Sequence, residues 1–392
     1  MAKTALFAWE LGANLGHASP MAQIARDLAH DGVRIVVAGR ELENLAIAFA
    51  GMDAIRLQAP IWPRHRHWGS EETQANFLDV LINAGFGDPT KLAAVADGWR
   101  GLLQLIQPDV IISDHSPGLL VASFGGKIPV VSIGTGFTMP PLDLERFPPM
   151  RADRGPIATE GRVHGAISPL LSAAGVTPPK NLVGLFRTTD RFVFGFPELD
   201  PYRSFRSEQL YLPPEALPTF VSPPIEPRLF VYLGAETQGL EAIVQALVEV
   251  AIPAIVYLRG DAGPLQDFLA MGGHEVHKMP PKLVEVLPRV SHVISAGGSF
   301  TCHAAFAAGR PHLIFPLHAE SEINLKLLET LSVGQRLPAP ASAENVVTSI
   351  NEFVQNHRLI QNAHHWANVV ATRHQPSGAE AVQAAIRRHV AS

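Results

Sequence analysis

At 392 residues, 47% of them hydrophobic and 17% charged, the chain is long enough for two domains with separate cores and too apolar to stay disordered. A net charge of −5 without a long basic run argues against nucleic acid as the main partner. The single cysteine, Cys302, excludes an intramolecular disulfide and any multi-cysteine metal site, and no stretch approaches the ~20 apolar residues of a membrane-spanning helix.

The N-terminus, MAKTALFAWELGANLGH, lacks the apolar core and cleavage site of a signal peptide and reads as a first strand. A cytoplasmic protein is therefore expected, with peripheral membrane contact left open. Thr4 to Leu11 fits a buried parallel strand. Gly12, Asn14, Gly16 and His17 follow in a turn, and Ser19-Pro20 reads as an N-cap with proline at the first helical position. Met21, Ile24, Ala25 and Leu28 keep the spacing of one helix face, and Val33 to Ala38 is a second strand. The opening is the β-loop-α-β of a Rossmann-like half.

Ala59 to Pro89 breaks that rhythm with Trp62, His65, His67, Trp68, Phe77 and Phe86. Such a connection is either a binding loop or a surface excursion with its own small cluster. His65 and His67 alternate rather than share a helix face, so no metal pair is read there. Lys91 to Ile106 reads as a helix, Asp109 to Asp114 as a strand and Gly118 to Phe124 as a helix. Ile128 to Ile133 is a strand ending in Gly134-Thr135-Gly136, just before Phe137, and Arg191 to Phe196 is the last strand of this half.

Prolines at 197, 201, 213, 214, 218, 223, 224 and 227 defeat regular structure and mark a linker. The expected layout is an N-terminal domain over 1–205, a linker over 206–227 and a C-terminal domain over 228–365, with helices of 366–392 returning to the first domain. In the second series, strands are expected at Leu229–Leu233, Ile252–Leu258, His274–Met279 and His292–Ile294, with a helix over Leu240–Val250. Ile350–His364 and Ala379–His389 read as further helices.

The densest signal is Ser295 to Asn324: a strand end, Gly297-Gly298-Ser299, a helix, Gly309-Arg310-Pro311 and a second apolar run. That βαβ turn is either a pyrophosphate cradle at a helix N-terminus or an ordinary βα turn. At the carboxyl rim of the first domain, His17 follows strand one and Asp114 ends a later strand. They form either a general-base dyad, with Asp114 orienting the imidazole, or two unrelated loop and cap residues. Neither G-x-S-x-G, G-x-G-x-x-G nor a Walker sequence occurs, so serine hydrolysis, nicotinamide chemistry and P-loop hydrolysis are weakly supported.

These stretches resemble GT-B glycosyltransferases of the UDP-glycosyltransferase type. The spacing of Gly297, Gly298, Thr301, Gly309, Pro311, Pro316 and Asn324 is similar to the family's donor signature, and Gly16-His17-Ala18-Ser19-Pro20 resembles its G-H-x-x-P. Arg228–Gly234 looks like the strand that opens its donor domain, and Val276–Pro280 like the segment that reads the nucleotide base. The sequence departs from the pattern at Ala296, Phe300, Ala304, Pro281 and Glu320-Ser321, where His, Gly, Glu, Gln and Asp-Gln are usual.

The resemblance implies the GT-B fold, two Rossmann-like α/β domains facing across a cleft. It implies inverting, metal-independent transfer from a UDP- or TDP-linked sugar to a small apolar or aromatic acceptor. His17 would be the base and Asp114 its partner. Gly234, Met279, Pro280, Gly297, Gly298, Ser299, Phe300, Thr301, Glu320, Ser321 and Asn324 would bind the donor. Trp62, His65, His67, Trp68, Phe86 and Phe137 would shape the acceptor site. No cofactor beyond the nucleotide sugar is expected. A GT-B-like binder of nucleotide sugars without transfer is the alternative, and an epimerase on the same fold is less supported.

Overall fold

The computed structural model describes residues 2–62, 74–151, 155–156, 159–339 and 342–391. They form two compact units: residues 1–215 with 375–392, and residues 216–374.

In the first unit the chain runs β1 (Thr4–Trp9), α1 (Leu15–His30), β2 (Arg34–Gly39), α2 (Leu42–Ala48), β3 (Ala54–Gln58), α3 (Phe77–Ala84), α4 (Pro89–Ile106), β4 (Val110–Asp114), α5 (Pro117–Ser123), β5 (Val130–Thr135), α6 (Glu160–Ala173), β6 (Asp190–Phe194) and β7 (Leu210–Tyr211). All seven strands are parallel, in the order β3-β2-β1-β4-β5-β6-β7. β1 lies between β2 and β4 and every residue of it is buried, which is why TALFAW is uninterrupted apolar sequence. The edge strand β3, AIRLQ, is half-exposed and too polar to stand out in the sequence.

Three expectations change here. α1 begins at Leu15, so Pro20 lies inside the helix and His17 in its first turn, rather than in a loop ahead of it. The reason is the short connection: Gly12 (φ +90°) and Asn14 (φ +69°) reverse the chain at once, and Pro20 removes one intrahelical N–H bond without ending the helix. The last strand of this sheet is β7, not Arg191–Phe196, and the proline-rich stretch belongs to the first unit as far as Glu215. Buried Arg206 holds it there, donating to Asp200 at 2.6 Å, to Glu208 at 2.7 Å and to the Met139 carbonyl at 2.8 Å.

The second unit runs β8 (Leu229–Gly234), α7 (Leu240–Glu249), β9 (Ala254–Arg259), α8 (Gly263–Met271), β10 (Glu275–His277), α9 (Leu283–Val286), β11 (His292–Ser295), α10 (Ser299–Ala308), β12 (His312–Ile314), α11 (Ala319–Thr330), β13 (Gly334–Arg336), α12 (Ala343–Val354) and α13 (His357–Ala371). Its parallel strands are ordered β10-β9-β8-β11-β12-β13. The helix expected over Ile350–His364 is two helices, because the Asn356 side chain accepts from the Leu359 amide at 3.3 Å and starts α13 afresh.

The chain rejoins the first unit at residue 375 rather than 366 and there forms α14 (Gly378–Ala391). Val382, Ala385 and Ile386 are buried in the core beside Met21 and Leu28. Gln383 donates to the Ile24 carbonyl at 3.1 Å, and His389 lies 2.6 Å from an Asp190 oxygen.

Candidate functional site

In each sheet the strand order reverses once, and ligands of parallel α/β sheets gather beyond the carboxyl ends at that point. In the first unit it lies between β1 and β4. Trp9 and Asp114, the last residues of the two strands, are register partners. His17 Nδ1 lies 3.0 Å from Asp114 Oδ2, and Asp114 is only 4% exposed. The indole of Trp9 stacks on the imidazole, centroids 5.4 Å apart and planes 20° apart. A Cβ on Gly12 would fall 2.1 Å from His17 Nε2, so only glycine at this left-handed position lets the ring lie over the backbone. A base oriented by a buried carboxylate is the arrangement that general-base chemistry uses.

His115 has φ +44° and its ring centroid lies 6.2 Å from that of His17; burial, then the charges of His17 and Arg40, push its imidazole down to about 3, so it is neutral. Further ring contacts extend from it. Phe77 lies 6.0 Å from His115 and 5.5 Å from Phe186, Phe186 6.3 Å from Phe86, and Phe86 6.0 Å from Trp62. Of the residues expected on the acceptor side, Trp62 and Phe86 join this aromatic row. Phe137 is buried in the turn after β5, at the same rim of the sheet. His65, His67 and Trp68 lie outside the described residues.

Sequence reasoning missed Glu10. Its side chain follows β1 and is fully buried, accepting from Trp62 Nε1 at 2.7 Å, the Gly118 amide at 2.9 Å and the Leu119 amide at 2.6 Å. Burial pushes its carboxyl up to about 7 against the opposing pull of those donors. In the unfolded chain the same proton is released near 4.5. The folded state thus holds the proton more tightly, and stability is lost as pH rises from about 4.5 to about 7. Chemical denaturation at pH 5 and pH 8 should show wild type losing about 3 kcal/mol relative to Glu10→Gln across that window.

In the second unit the reversal lies between β8 and β11. β11 ends at Ser295, Gly297 takes φ +79°, Gly298 caps α10, and α10 begins at Ser299. This turn is held from all sides. The Gly297 amide donates to Ser295 Oγ at 3.0 Å, and that hydroxyl lies 2.8 Å from His312 Nε2. Asn324 Nδ2 donates to the Gly297 carbonyl at 2.9 Å and to Ser299 Oγ at 3.0 Å. Ser299 Oγ donates to Glu320 at 2.5 Å. The first-turn amides of α10 therefore stand on a fixed frame, the geometry that suits an anion.

Thr301 is buried beside Cys302, and Phe300 is half-buried. Ser321 is fully buried. Its hydroxyl accepts from the Leu317 and His318 amides, each at 3.0 Å, and donates to the His318 carbonyl at 2.7 Å, so it is committed to the cap of α11. Gly234 ends β8, where a Cβ would lie 2.2 Å from the Glu236 carboxylate, which pairs with Arg259 at the end of β9. Arg259 is a rim cation that the sequence did not single out, since nothing in YLRGD distinguishes it from a surface residue. Met279, 60% exposed, and Pro280 follow the edge strand β10, two strands removed from β8.

Two parallel sheets with their strand reversals occupied in this way define a GT-B fold. The calicheamicin glycosyltransferase CalG4 superposes with a TM-score of 0.69 at 19% identity, covering 100% of this chain and 98% of that one. The spinosyn rhamnosyltransferase SpnG gives 0.66 at 18% over 99% and 100%, and Streptomyces sp. SF2575 SsfS6, complexed with thymidine diphosphate, gives 0.62 at 18% over 99% and 100%. In sequence the chain is similar to the elloramycin glycosyltransferase ElmGT of Streptomyces olivaceus, 28% identical over 270 residues. That match takes in 64% of this chain and spans about three fifths (61%) of ElmGT. No family model matches. Among the described residues no helix is long and apolar enough to cross a membrane.

Proposed function

We propose that the protein is an inverting, metal-independent glycosyltransferase that moves a sugar from a UDP- or TDP-linked donor to a hydroxyl of a small, apolar or aromatic acceptor. The observation that carries this reading is the 3.0 Å contact between His17 and Asp114 at the strand reversal of the first unit. With Nδ1 on Asp114, His17 takes the acceptor proton at Nε2. The acceptor oxygen bonds to the anomeric carbon as the bond to the pyrophosphate breaks, and the nucleoside diphosphate leaves with the electron pair. Asp114 steadies the imidazolium. The α10 amides and the Thr301 hydroxyl receive the pyrophosphate, Gly234, Met279 and Pro280 lie on the nucleotide side, and Glu320, held by the Ser299 hydroxyl, bonds sugar hydroxyls. The similarity to ElmGT and the thymidine diphosphate held by SsfS6 support the donor class, and the spinosyn aglycone complexed with SpnG supports the acceptor class.

Purified protein incubated with UDP- and TDP-sugars and a panel of phenols should give a mass increase of one hexosyl or deoxyhexosyl group, undiminished by EDTA and with inverted anomeric configuration. No product from any pair, with nucleotide binding retained, would favour a second reading. In that reading the fold binds nucleotide sugars without transfer, consistent with alanine at 296 and at buried 304, where the resemblance implies an imidazole donor and a carboxylate acceptor for the ligand. Asp114→Asn removes a charge-assisted bond of about 1.5–3 kcal/mol, so steady-state kinetics should show kcat reduced ten- to hundredfold with donor KM unchanged.

A further inference from the structure

Glu10 caps the short helix α5: Oε1 accepts from the Leu119 amide, while Oε2 is shared between the Gly118 amide and the indole of Trp62, which comes from a segment 52 residues away. Burying a carboxylate beneath aromatic rings is costly, and an apolar side chain would fill the space more cheaply. What the carboxylate supplies instead is a junction of three segments. One is the end of β1, whose Trp9 stacks on His17. Another is the end of β4 with the turn after it, which carry Asp114 and His115 and are tied to the segment after β1 by the Leu11 amide donating to the His115 carbonyl at 3.1 Å. The last carries Trp62, at the far end of the aromatic row that starts beside His17. The junction has no slack: a Cβ on Gly118 would lie 2.4 Å from Val95 Cγ1 and 3.0 Å from a Glu10 oxygen.

We infer that Glu10 is a positioning residue for acceptor recognition, setting the register between the base at His17 and the indole of Trp62 so that a planar, multi-ring phenol is held with its hydroxyl at the base. This rests on the glycosyltransferase reading for the role of His17, and on the hydrogen bonds alone for the junction.

The test uses full-length protein with Glu10→Gln, Trp62→Phe and the double variant, and alizarin, genistein and 4-methylumbelliferone as acceptor probes. Binding is followed by calorimetry and turnover by product mass. Either single change should weaken probe binding and raise acceptor KM by about tenfold, the scale of one hydrogen bond to a charged group, with donor KM and nucleoside-diphosphate affinity within about twofold of wild type. The double variant should be no worse than the poorer single one, because both remove the same contact. Additive losses, or equal losses for donor and acceptor, would mean that Glu10 is only structural and overturn the inference. Should Glu10→Gln fail to fold, an unchanged probe affinity in Trp62→Phe overturns it alone. Wild-type protein that binds the probes without turning over any sugar nucleotide refutes the transferase reading while the binding cycle still decides the role of Glu10. Wild-type protein that binds none of the three overturns the acceptor class.

Discussion

His17→Ala is expected to lower kcat by about 10²–10⁴, the span that a positioned general base contributes. The loss should fall on the chemical step. The imidazole sits in the first unit on Asp114 and Trp9, whereas the nucleotide is assigned to the turn after β11 in the second, so nucleoside-diphosphate affinity should be unchanged. A pH–rate profile of the variant should also lose its lower limb, since that limb reports deprotonation of the base. Wild-type turnover in His17→Ala would remove His17 from the mechanism and leave Asp114 a buried carboxylate without a catalytic role.

Gly297→Ala is expected to be the most damaging single change on the donor side. The position combines φ +79° with contacts that leave no room: an added Cβ would meet Ile314 Cγ2 at 2.7 Å and Ser321 Cβ at 3.2 Å. Left-handed backbone costs a residue with a side chain roughly 1–2 kcal/mol, and overpacking roughly 1–3 kcal/mol more. Relief comes by shifting the turn, which breaks the bonds from Asn324 Nδ2 and to Ser295 Oγ that hold the α10 amides in place. Nucleoside-diphosphate affinity should fall at least tenfold by calorimetry and the thermal midpoint should drop. Gly298→Ala is the control: its φ is −63° and an added Cβ meets nothing within 4 Å, so it should be far milder.

Much of this was legible in the chain. The central strands are buried on both faces and read as unbroken apolar runs, β1 most clearly. The turn from Ser295 to Ser299 was visible because Gly297 is sterically required there, and Asn324 because its spacing from Gly297 matches the donor signature the chain resembles. The edge strands were less legible. β3 and β7 are half-exposed or two residues long, so their sequences carry little apolar signal. Pro20 misled because proline inside a helix costs one bond, which a well-packed helix tolerates, so its usual meaning as a start signal failed. Glu10 was invisible for another reason. A single carboxylate after a strand has no motif, and its importance rests on a tryptophan and two amides that only the fold brings together. The Ser321 hydroxyl, matched to a sugar contact by position, is committed to a helix cap instead, leaving Glu320 to carry that part of the proposal.

The return of α14 to the first unit has a consequence for how the molecule is made. Residues 216–374 are one uninterrupted stretch and can close their core as soon as they leave the ribosome. The first unit is not. Its core includes Val382, Ala385 and Ile386, and the Ile24 carbonyl waits for an amide 359 residues downstream. Of the two units, the one whose synthesis begins earlier is completed later. Until α14 arrives, the core that α1 shares with Val382, Ala385 and Ile386 is unfinished, so closure of the first unit depends on long-range rather than local contacts.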